Sequence, residues 1–216
     1  LLILHDEIGH HEWLNYQQAL SQNHTLHIPS HPGFGKTQPL EWIMNMRDMA
    51  GWYLQALDEL KLGPINVVGF SMGGWLAAEM ATMDTSMFKK IVLVGATGVK
   101  PPVGEIYDMF LEIAQNFITA GFVDSSKVEE FQKICPDDAP AELVEAWEVA
   151  REEACRLGWK PYMYYAGLPQ LLPRLKALPT LIVWGRQDAI VPISAGELYH
   201  QSIPGSKLTV LEDCGH

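Results

Sequence analysis

Short aliphatic runs alternate with longer amphipathic stretches along the chain. Six of these runs are bounded by Gly, Pro, Asp or His and are predicted to be buried strands, at residues 1–4, 25–28, 65–68, 91–94, 181–184 and 208–211. Between the second and third runs, apolar residues recur at helical spacing: Met46, Met49, Ala50, Tyr53, Leu54, Leu57 and Leu60. This alternation predicts an α/β fold with a mostly parallel sheet and helices on both of its faces.

The pattern changes to helices alone between residues 100 and 173. The clearest of these helices ends at Gly158 and has one apolar face, formed by Leu143, Val144, Trp147, Ala150 and Ala154. We therefore predict that residues 1–99 and 174–216 form the sheet core and that residues 100–173 are a helical insertion that caps it.

Composition narrows the classes of partner. The chain of 216 residues has a formal net charge of -11 at pH 7, and its basic residues are scattered, which argues against nucleic acid or an anionic membrane as a partner. It has no apolar stretch long enough to span a bilayer. The three cysteines, Cys135, Cys155 and Cys214, are far apart and predict neither a disulfide framework nor a zinc site. A cytoplasmic location fits best, and the sequence leaves the oligomeric state open.

The strongest local signal is the segment Gly69-Phe70-Ser71-Met72-Gly73. It joins an aliphatic strand directly to an Ala-rich helix, and its small residues allow a sharp turn that presents the serine hydroxyl at the end of the strand. An ordinary strand-to-helix turn with an incidental serine is the alternative. The context of strand and helix favours a nucleophile elbow.

A serine nucleophile needs a base, and the base needs an acid to orient it. Asp188 follows one late predicted strand, and His216 follows the last one. With the elbow, this order of Ser, Asp and His resembles the Ser-nucleophile members of the α/β-hydrolase fold superfamily from the first residue to the last. The resemblance implies that Ser71 is the nucleophile, His216 the general base and then acid, and Asp188 the residue that stabilises the imidazolium.

The resemblance also implies an oxyanion hole made of two backbone N–H groups. Met72, directly after the nucleophile, supplies one. The loop after the first strand supplies the other, which carries over to Glu7, although Asp6 stands where the family usually has Gly. The family's Pro-Gly-x-Gly loop, which helps to hold the oxyanion loop, is matched within residues 29–37.

Several further features are open to more than one interpretation. His10, His11, His24, His27 and His31 are close in sequence but fall on predicted loops and a strand, with no helical H-x-x-x-H pair, so we predict no metal site and no cofactor. Phe70 and an aromatic cluster late in the insertion, represented by Trp159, Tyr162 and Met163, are predicted to line a pocket for a small-molecule substrate, the alternative being the core of the insertion. Cys214 is predicted to be a packing residue.

Three function classes remain. The favoured one is a serine-dependent, carboxylesterase-like hydrolase of a small apolar or aromatic ester. The second is hydrolysis of a carbon–carbon bond beside a ketone, as in the meta-cleavage-product hydrolases, which the Ser-Met-Gly-Gly elbow and helical cap also resemble. The third is a ligand-binding member of the fold that has lost activity. Family members usually extend beyond both ends of this sequence, so we expect it to be a fragment of a longer enzyme.

Overall fold

The structure is a computed structural model that describes residues 1–9 and 12–216. Its strands are β1 (Leu2–Leu4), β2 (Ile65–Phe70), β3 (Phe88–Val94), β4 (Thr180–Gly185) and β5 (Lys207–Leu211). Its α-helices are α1 (Asn15–Ser21), α2 (Met46–Glu59), α3 (Met72–Met83), α4 (Ala114–Ala120), α5 (Phe131–Ile134), α6 (Ala141–Gly158), α7 (Leu168–Leu171) and α8 (Ile193–Ser202). Short 3-10 helices lie at Thr85–Met87, Ser125–Lys127 and Leu172–Ala177.

The five strands form one parallel sheet in the order β1-β2-β3-β4-β5. Ile3 is paired with Val68, and Val67 with Ile91, so that the aliphatic runs lie side by side. Parallel neighbours require a crossover between them, and the helical segments supply these crossovers. The predicted α/β fold is confirmed, and the carboxyl ends of all five strands meet at one edge of the sheet.

The predicted strand at residues 25–28 is wrong in its extent. Only His27 bridges to β1, through hydrogen bonds from Ile3 N to His27 O and from His27 N to Leu1 O, both 2.9 Å long. Pro29, two residues after His27, has no N–H to continue the ladder, so the pairing stops after a single bridge.

Two helices form the packing layer nearest the elbow. Helix α2 begins at a cap, where the Asn45 side chain accepts from Arg47 N and Asp48 N. Of the predicted apolar stripe, Leu54 is partly buried, Leu60 lies beyond the helix and is exposed, and the other five residues are buried. Helix α2 packs on α3, which is buried on nearly all sides and also contacts β1, β2 and β3. The Glu79 carboxylate within α3 is paired with Arg47 of α2 at 2.5 Å, so the two helices are joined by an ion pair as well as by apolar contact.

The segment between β3 and β4 is built from helices, as the sequence predicts. Helix α6 ends at Gly158, and Trp147, Ala150 and Ala154 on its apolar face are buried. Arg151 on the same helix donates to the backbone carbonyls of Met109 and Glu112, which ties the preceding loop to α6. In the described part of the chain, no helix is both long and apolar enough to cross a membrane.

Candidate active site

Ser71 occupies the sharp turn between β2 and α3. Its backbone has φ 46° and ψ -113°, a strained conformation for a residue with a Cβ atom. Hydrogen bonds hold it there: Ser71 N donates to Val94 O at 2.9 Å, and Thr97 N donates to Ser71 O at 3.2 Å. The turn therefore has the backbone strain that is typical of a nucleophile elbow.

The small residues around Ser71 are required by close backbone contacts. A Cβ atom at Gly73 would lie 2.3 Å from Leu4 O and 2.5 Å from His5 O, and one at Gly69 would lie 2.2 Å from Gly73 O. These contacts place the start of α3 directly against the loop that follows β1. Met72 N, at the start of α3, and Glu7 N, in that loop, are thus on neighbouring elements, as an oxyanion hole requires.

Asp188 and His216 lie in the loops after β4 and β5 and contact each other. The His216 Nδ1–H donates to Asp188 Oδ2 at 2.8 Å, while Asp188 Oδ1 accepts from Ile190 N and Val191 N. The Asp188 side chain is fully buried and the His216 side chain is 15% exposed. Burial lowers the pKa of His216, but the nearby carboxylates, Asp188 above all, outweigh that effect and raise it to about 9.

The end of β3 connects Ser71 to the Asp188–His216 pair. Val94 accepts the Ser71 N–H, and the next residue, Gly95, has φ 52°. A Cβ atom at Gly95 would lie 2.9 Å from His216 Cε1 and 3.4 Å from Asp188 Oδ2. The sequence analysis missed Gly95, whose position directly after an aliphatic strand was the available signal.

The Ser71 hydroxyl is buried and has no hydrogen-bond partner among the described residues. Hydrogen bonds between catalytic groups are often long in unliganded enzymes and shorten when substrate binds, so the geometry leaves Ser71 available to a base. The structure thus brings Ser71, Asp188 and His216 to the carboxyl edge of the sheet.

Asp6 shapes the loop after β1 with its side chain. Its Oδ1 atom accepts from Ile8 N at 2.9 Å and from Gly9 N at 3.1 Å, which folds the loop back on itself. Burial, with a contribution from the charge of Glu7, raises the pKa of Asp6 to about 7. Glu7, the predicted oxyanion-loop donor, is 2% exposed.

Two stacked histidines hold this loop from behind. His5 Nε2 accepts from His31 N at 3.0 Å, so its protonated Nδ1 donates to Asp6 O at 2.7 Å. His31 Nε2–H donates to His5 O, and its Nδ1 accepts from the Tyr53 hydroxyl at 2.6 Å. Burial lowers the pKa of His31 to about 4, which keeps this ring neutral. Through these contacts, His31 joins the Pro-Gly-x-Gly segment to the loop after β1.

A cavity of about 330 Å³ opens beside His216. Asp6, Glu7 and Phe70 line it, together with Phe117 and Ile118 of α4 and Trp147 of α6. The sequence analysis identified the apolar face of α6 but did not assign Trp147 to the site, because helical periodicity does not show what a face packs against.

The other predicted pocket residues lie elsewhere in the insertion. Trp159 is 58% exposed and packs against Phe110 and Tyr162, while Met163 is 1% exposed. Tyr162 accepts from Met109 N and borders a second cavity of about 220 Å³. Among the described residues, Phe70 alone of the four predicted ones lines the cavity beside His216.

Other candidate reactive groups were compared with this site. His10 and His11 lie outside the described residues, and in the remainder of the chain no three His, Cys, Asp or Glu side chains are grouped as metal ligands. Burial raises the pKa of the Cys214 thiol, with the charge of Asp188 adding to the shift, which makes this thiol a poorer nucleophile.

Known proteins resemble the chain in sequence and in structure. The dihydrolipoyllysine-residue acetyltransferase component of the acetoin cleaving system of Cupriavidus necator is 26% identical over 94% of this chain, which spans 54% of that relative. A 2-hydroxy-6-oxononadienedioate/2-hydroxy-6-oxononatrienedioate hydrolase of Pseudomonas putida is 27% identical, with 94% of this chain and 74% of the relative covered. The structure of 2-hydroxy-6-oxo-6-phenylhexa-2,4-dienoate hydrolase from Rhodococcus sp. strain RHA1 superimposes with a TM-score of 0.76 at 22% identity, covering 100% of this chain and 83% of that one.

The sequence profile described as alpha/beta hydrolase fold matches residues 1–126 and 144–216. These ranges include all five strands, the elbow at Ser71 and the loops of Asp188 and His216. The chain belongs to the alpha/beta hydrolase fold family.

Proposed function

We propose that the chain is a serine-dependent hydrolase of small apolar or aromatic carboxylic esters. The observation that carries the proposal is the strained turn at Ser71, with the Asp188–His216 pair in loops at the same sheet edge. A serine hydroxyl is unreactive without a neighbouring base, and an imidazole oriented by a buried carboxylate is the usual way to supply one.

In the proposed reaction, His216 removes the proton of the Ser71 hydroxyl while its oxygen attacks the ester carbonyl carbon. The backbone N–H groups of Glu7 and Met72 donate to the oxyanion that forms, and Asp188 stabilises the imidazolium. His216 then protonates the departing alcohol, which leaves an acyl group on Ser71. Water, deprotonated by His216, attacks this acyl group, and His216 returns that proton to the Ser71 oxygen as the acid is released. The raised pKa of His216 means that it must lose a proton before it can act as the base.

The helical insertion, residues 100–173, is proposed to be a cap that closes the substrate cavity. Supporting this, Phe117 and Ile118 of α4 and Trp147 of α6 form an apolar wall of the cavity that contains His216. A finite apolar cavity favours compact acyl groups over long chains.

Hydrolysis of a carbon–carbon bond is the second candidate, since two of the similar proteins bear the names of hydrolases of 2-hydroxy-6-oxo dienoic acids. Such substrates are carboxylates. Glu7 and Glu12 line the cavity, and Lys133 on its wall is paired with Glu130 at 2.9 Å. An acidic lining disfavours an anionic substrate, so ester hydrolysis is the better supported of the two.

The test compares the wild-type protein with Ser71→Ala on p-nitrophenyl esters of graded acyl length and on a 2-hydroxy-6-oxo dienoate. We expect ester hydrolysis that favours compact acyl groups and that falls about 10⁴-fold or more in Ser71→Ala. Cys214→Ala, a small change in the His216 loop, is the control and should retain activity. Wild-type rates in purified Ser71→Ala would disprove the nucleophile, and turnover of the dienoate alone would favour the second candidate.

A further inference from the structure

One oxygen of the buried Glu7 carboxylate has no hydrogen-bond partner among the described residues. Glu7 is 2% exposed, and the oxygen without a partner is Oε2. A buried carboxylate without a partner is costly, because it loses its hydration and gains nothing in exchange. Only the backbone N–H of Glu7 is needed for the proposed oxyanion hole, so the ester hydrolysis proposed above leaves the carboxylate unexplained.

The Glu7 carboxylate belongs to the cavity beside His216. Glu7 is part of its lining, and the charge of Glu7 is one of the causes that raise the pKa of His216 and of Tyr162. The carboxylate therefore lies near His216, the proposed catalytic base. A bound substrate would be within reach of it.

The charges around the cavity are mostly negative. Asp6 and Glu12 line it together with Glu7, whereas Lys133 is already paired with Glu130. Asp6 is occupied by the backbone N–H groups of its own loop, so Glu7 is the carboxyl group that needs a partner. While His216 is neutral, as the proposed base must be, the other charged groups that line the cavity are carboxyl groups and the paired Lys133, so the field in the cavity favours a cation.

Another residue of the lining, Trp147, adds a second requirement. Trp147 is fully buried, lines the same cavity, and has an indole Nε1–H without a partner among the described residues. A ligand that pairs with both side chains carries a hydrogen-bond donor for the Glu7 carboxylate and an acceptor for the Trp147 indole N–H. An ester with an ammonium group has both, since its oxygens accept and its nitrogen donates.

We propose that the cavity selects aromatic or short aliphatic esters that carry an ammonium group, which pairs with the Glu7 carboxylate. The proposal rests on the ester hydrolysis proposed above and names the substrate class of the same site. A charge-assisted hydrogen bond inside an apolar cavity is stronger than one in water, so a single ammonium group gives strong discrimination against a neutral isostere.

The kinetic test uses p-nitrophenyl 4-(aminomethyl)benzoate and p-nitrophenyl 4-ethylbenzoate, which differ only by an ammonium group in place of a methyl group. The measured quantity is the ratio of kcat/KM for the cationic ester to that for the neutral one. We expect this ratio to fall about tenfold or more in Glu7→Gln and to stay unchanged in the control Glu145→Gln, an exposed residue of α6. Any change in the oxyanion hole affects both esters and cancels in the ratio.

A binding test does not depend on turnover. Ser71→Ala is titrated calorimetrically with methyl 4-(aminomethyl)benzoate and methyl 4-ethylbenzoate, and the double variant Ser71→Ala, Glu7→Gln is titrated in the same way. We expect the amine to bind Ser71→Ala about tenfold more tightly than it binds the double variant, with little change for the ethyl compound. Equal affinities in the two variants, or an unchanged kinetic ratio, would overturn the role of Glu7. Selective binding of the amine without ester turnover in the wild type would instead reject the ester hydrolysis and leave the ammonium site standing.

Discussion

Replacing Gly95 by Ala tests how the end of β3 fixes the imidazole of His216, the proposed catalytic base. The new Cβ atom would lie 2.9 Å from His216 Cε1 and 3.0 Å from His216 Nδ1, whereas ordinary contacts begin near 3.4 Å. The ring must therefore move by about 0.5 Å or more, away from the position that allows the 2.8 Å hydrogen bond to Asp188. A displacement of this size at a catalytic base lowers the rate by up to about 100-fold. The left-handed backbone, with φ 52°, adds a loss of stability of about 1 kcal/mol.

The control for this prediction is Gly205→Ala. Gly205 also has a left-handed backbone, with φ 82°, but the nearest atom to its added Cβ is Lys176 O at 3.9 Å. This variant should lose a similar amount of stability in urea unfolding and keep its kcat/KM for a p-nitrophenyl ester. Gly95→Ala should lose stability and also show the large fall in kcat/KM. If the two variants have equal kcat/KM, Gly95 does not position His216 and the reasoning is refuted.

Two further predictions concern stability. Burial raises the pKa of Asp6 to about 7, so the stability that its neutral form gives is fully present below about pH 4 and is lost as the pH rises through 7. Asp6→Asn should therefore raise the free energy of unfolding by on the order of 1 kcal/mol at pH 8 and leave it unchanged at pH 3. Urea unfolding measures this free energy, and an equal change at the two pH values would contradict the prediction. Gly51→Ala, within α2 and with no atom within 4 Å of the new Cβ, should raise the free energy of unfolding by up to about 1 kcal/mol. Gly73→Ala should instead lower the free energy of unfolding by about 3 kcal/mol, because the new Cβ would lie 2.3 Å from Leu4 O. Similar midpoints of urea unfolding for Gly51→Ala and Gly73→Ala would refute the argument.

The features that the sequence predicts correctly are those with a local cause. The aliphatic runs of β2, β3, β4 and β5 are bounded by turn residues, and the sharp turn at Ser71 lies in a motif of only five positions. The spacing of apolar residues predicts α6 and its end at Gly158 for the same reason. Each of these patterns depends on neighbours in the sequence, so periodicity and turn chemistry are sufficient to predict it.

The features that the sequence analysis missed depend on contacts between distant segments. Trp159 is in an aromatic cluster, yet it lies on the surface of the insertion, whereas Trp147 lines the cavity. Nothing in the spacing of either residue distinguishes the two outcomes, because the outcome depends on how α6 packs against α4 and the sheet. Gly95 was missed for a similar reason, since its importance comes from His216, which is far away in the sequence.

Asp6 connects the shape of the loop after β1 to the pKa of His216. Asp6 does not have a left-handed backbone, which occurs among the described non-glycine residues at Lys61, Ser71, Met163 and Asp213. Asp6 bends its loop instead with its side chain, whose Oδ1 atom accepts hydrogen bonds from Ile8 N and Gly9 N. That solution places a carboxyl group near His216, where it joins Asp188 and Glu7 in raising the pKa of the imidazole. A higher pKa makes His216 a stronger base but leaves less of it unprotonated at neutral pH. An ammonium group bound at Glu7 would partly neutralise this charge and lower the pKa of His216, so the proposed substrate would bring the base closer to its working state as it binds.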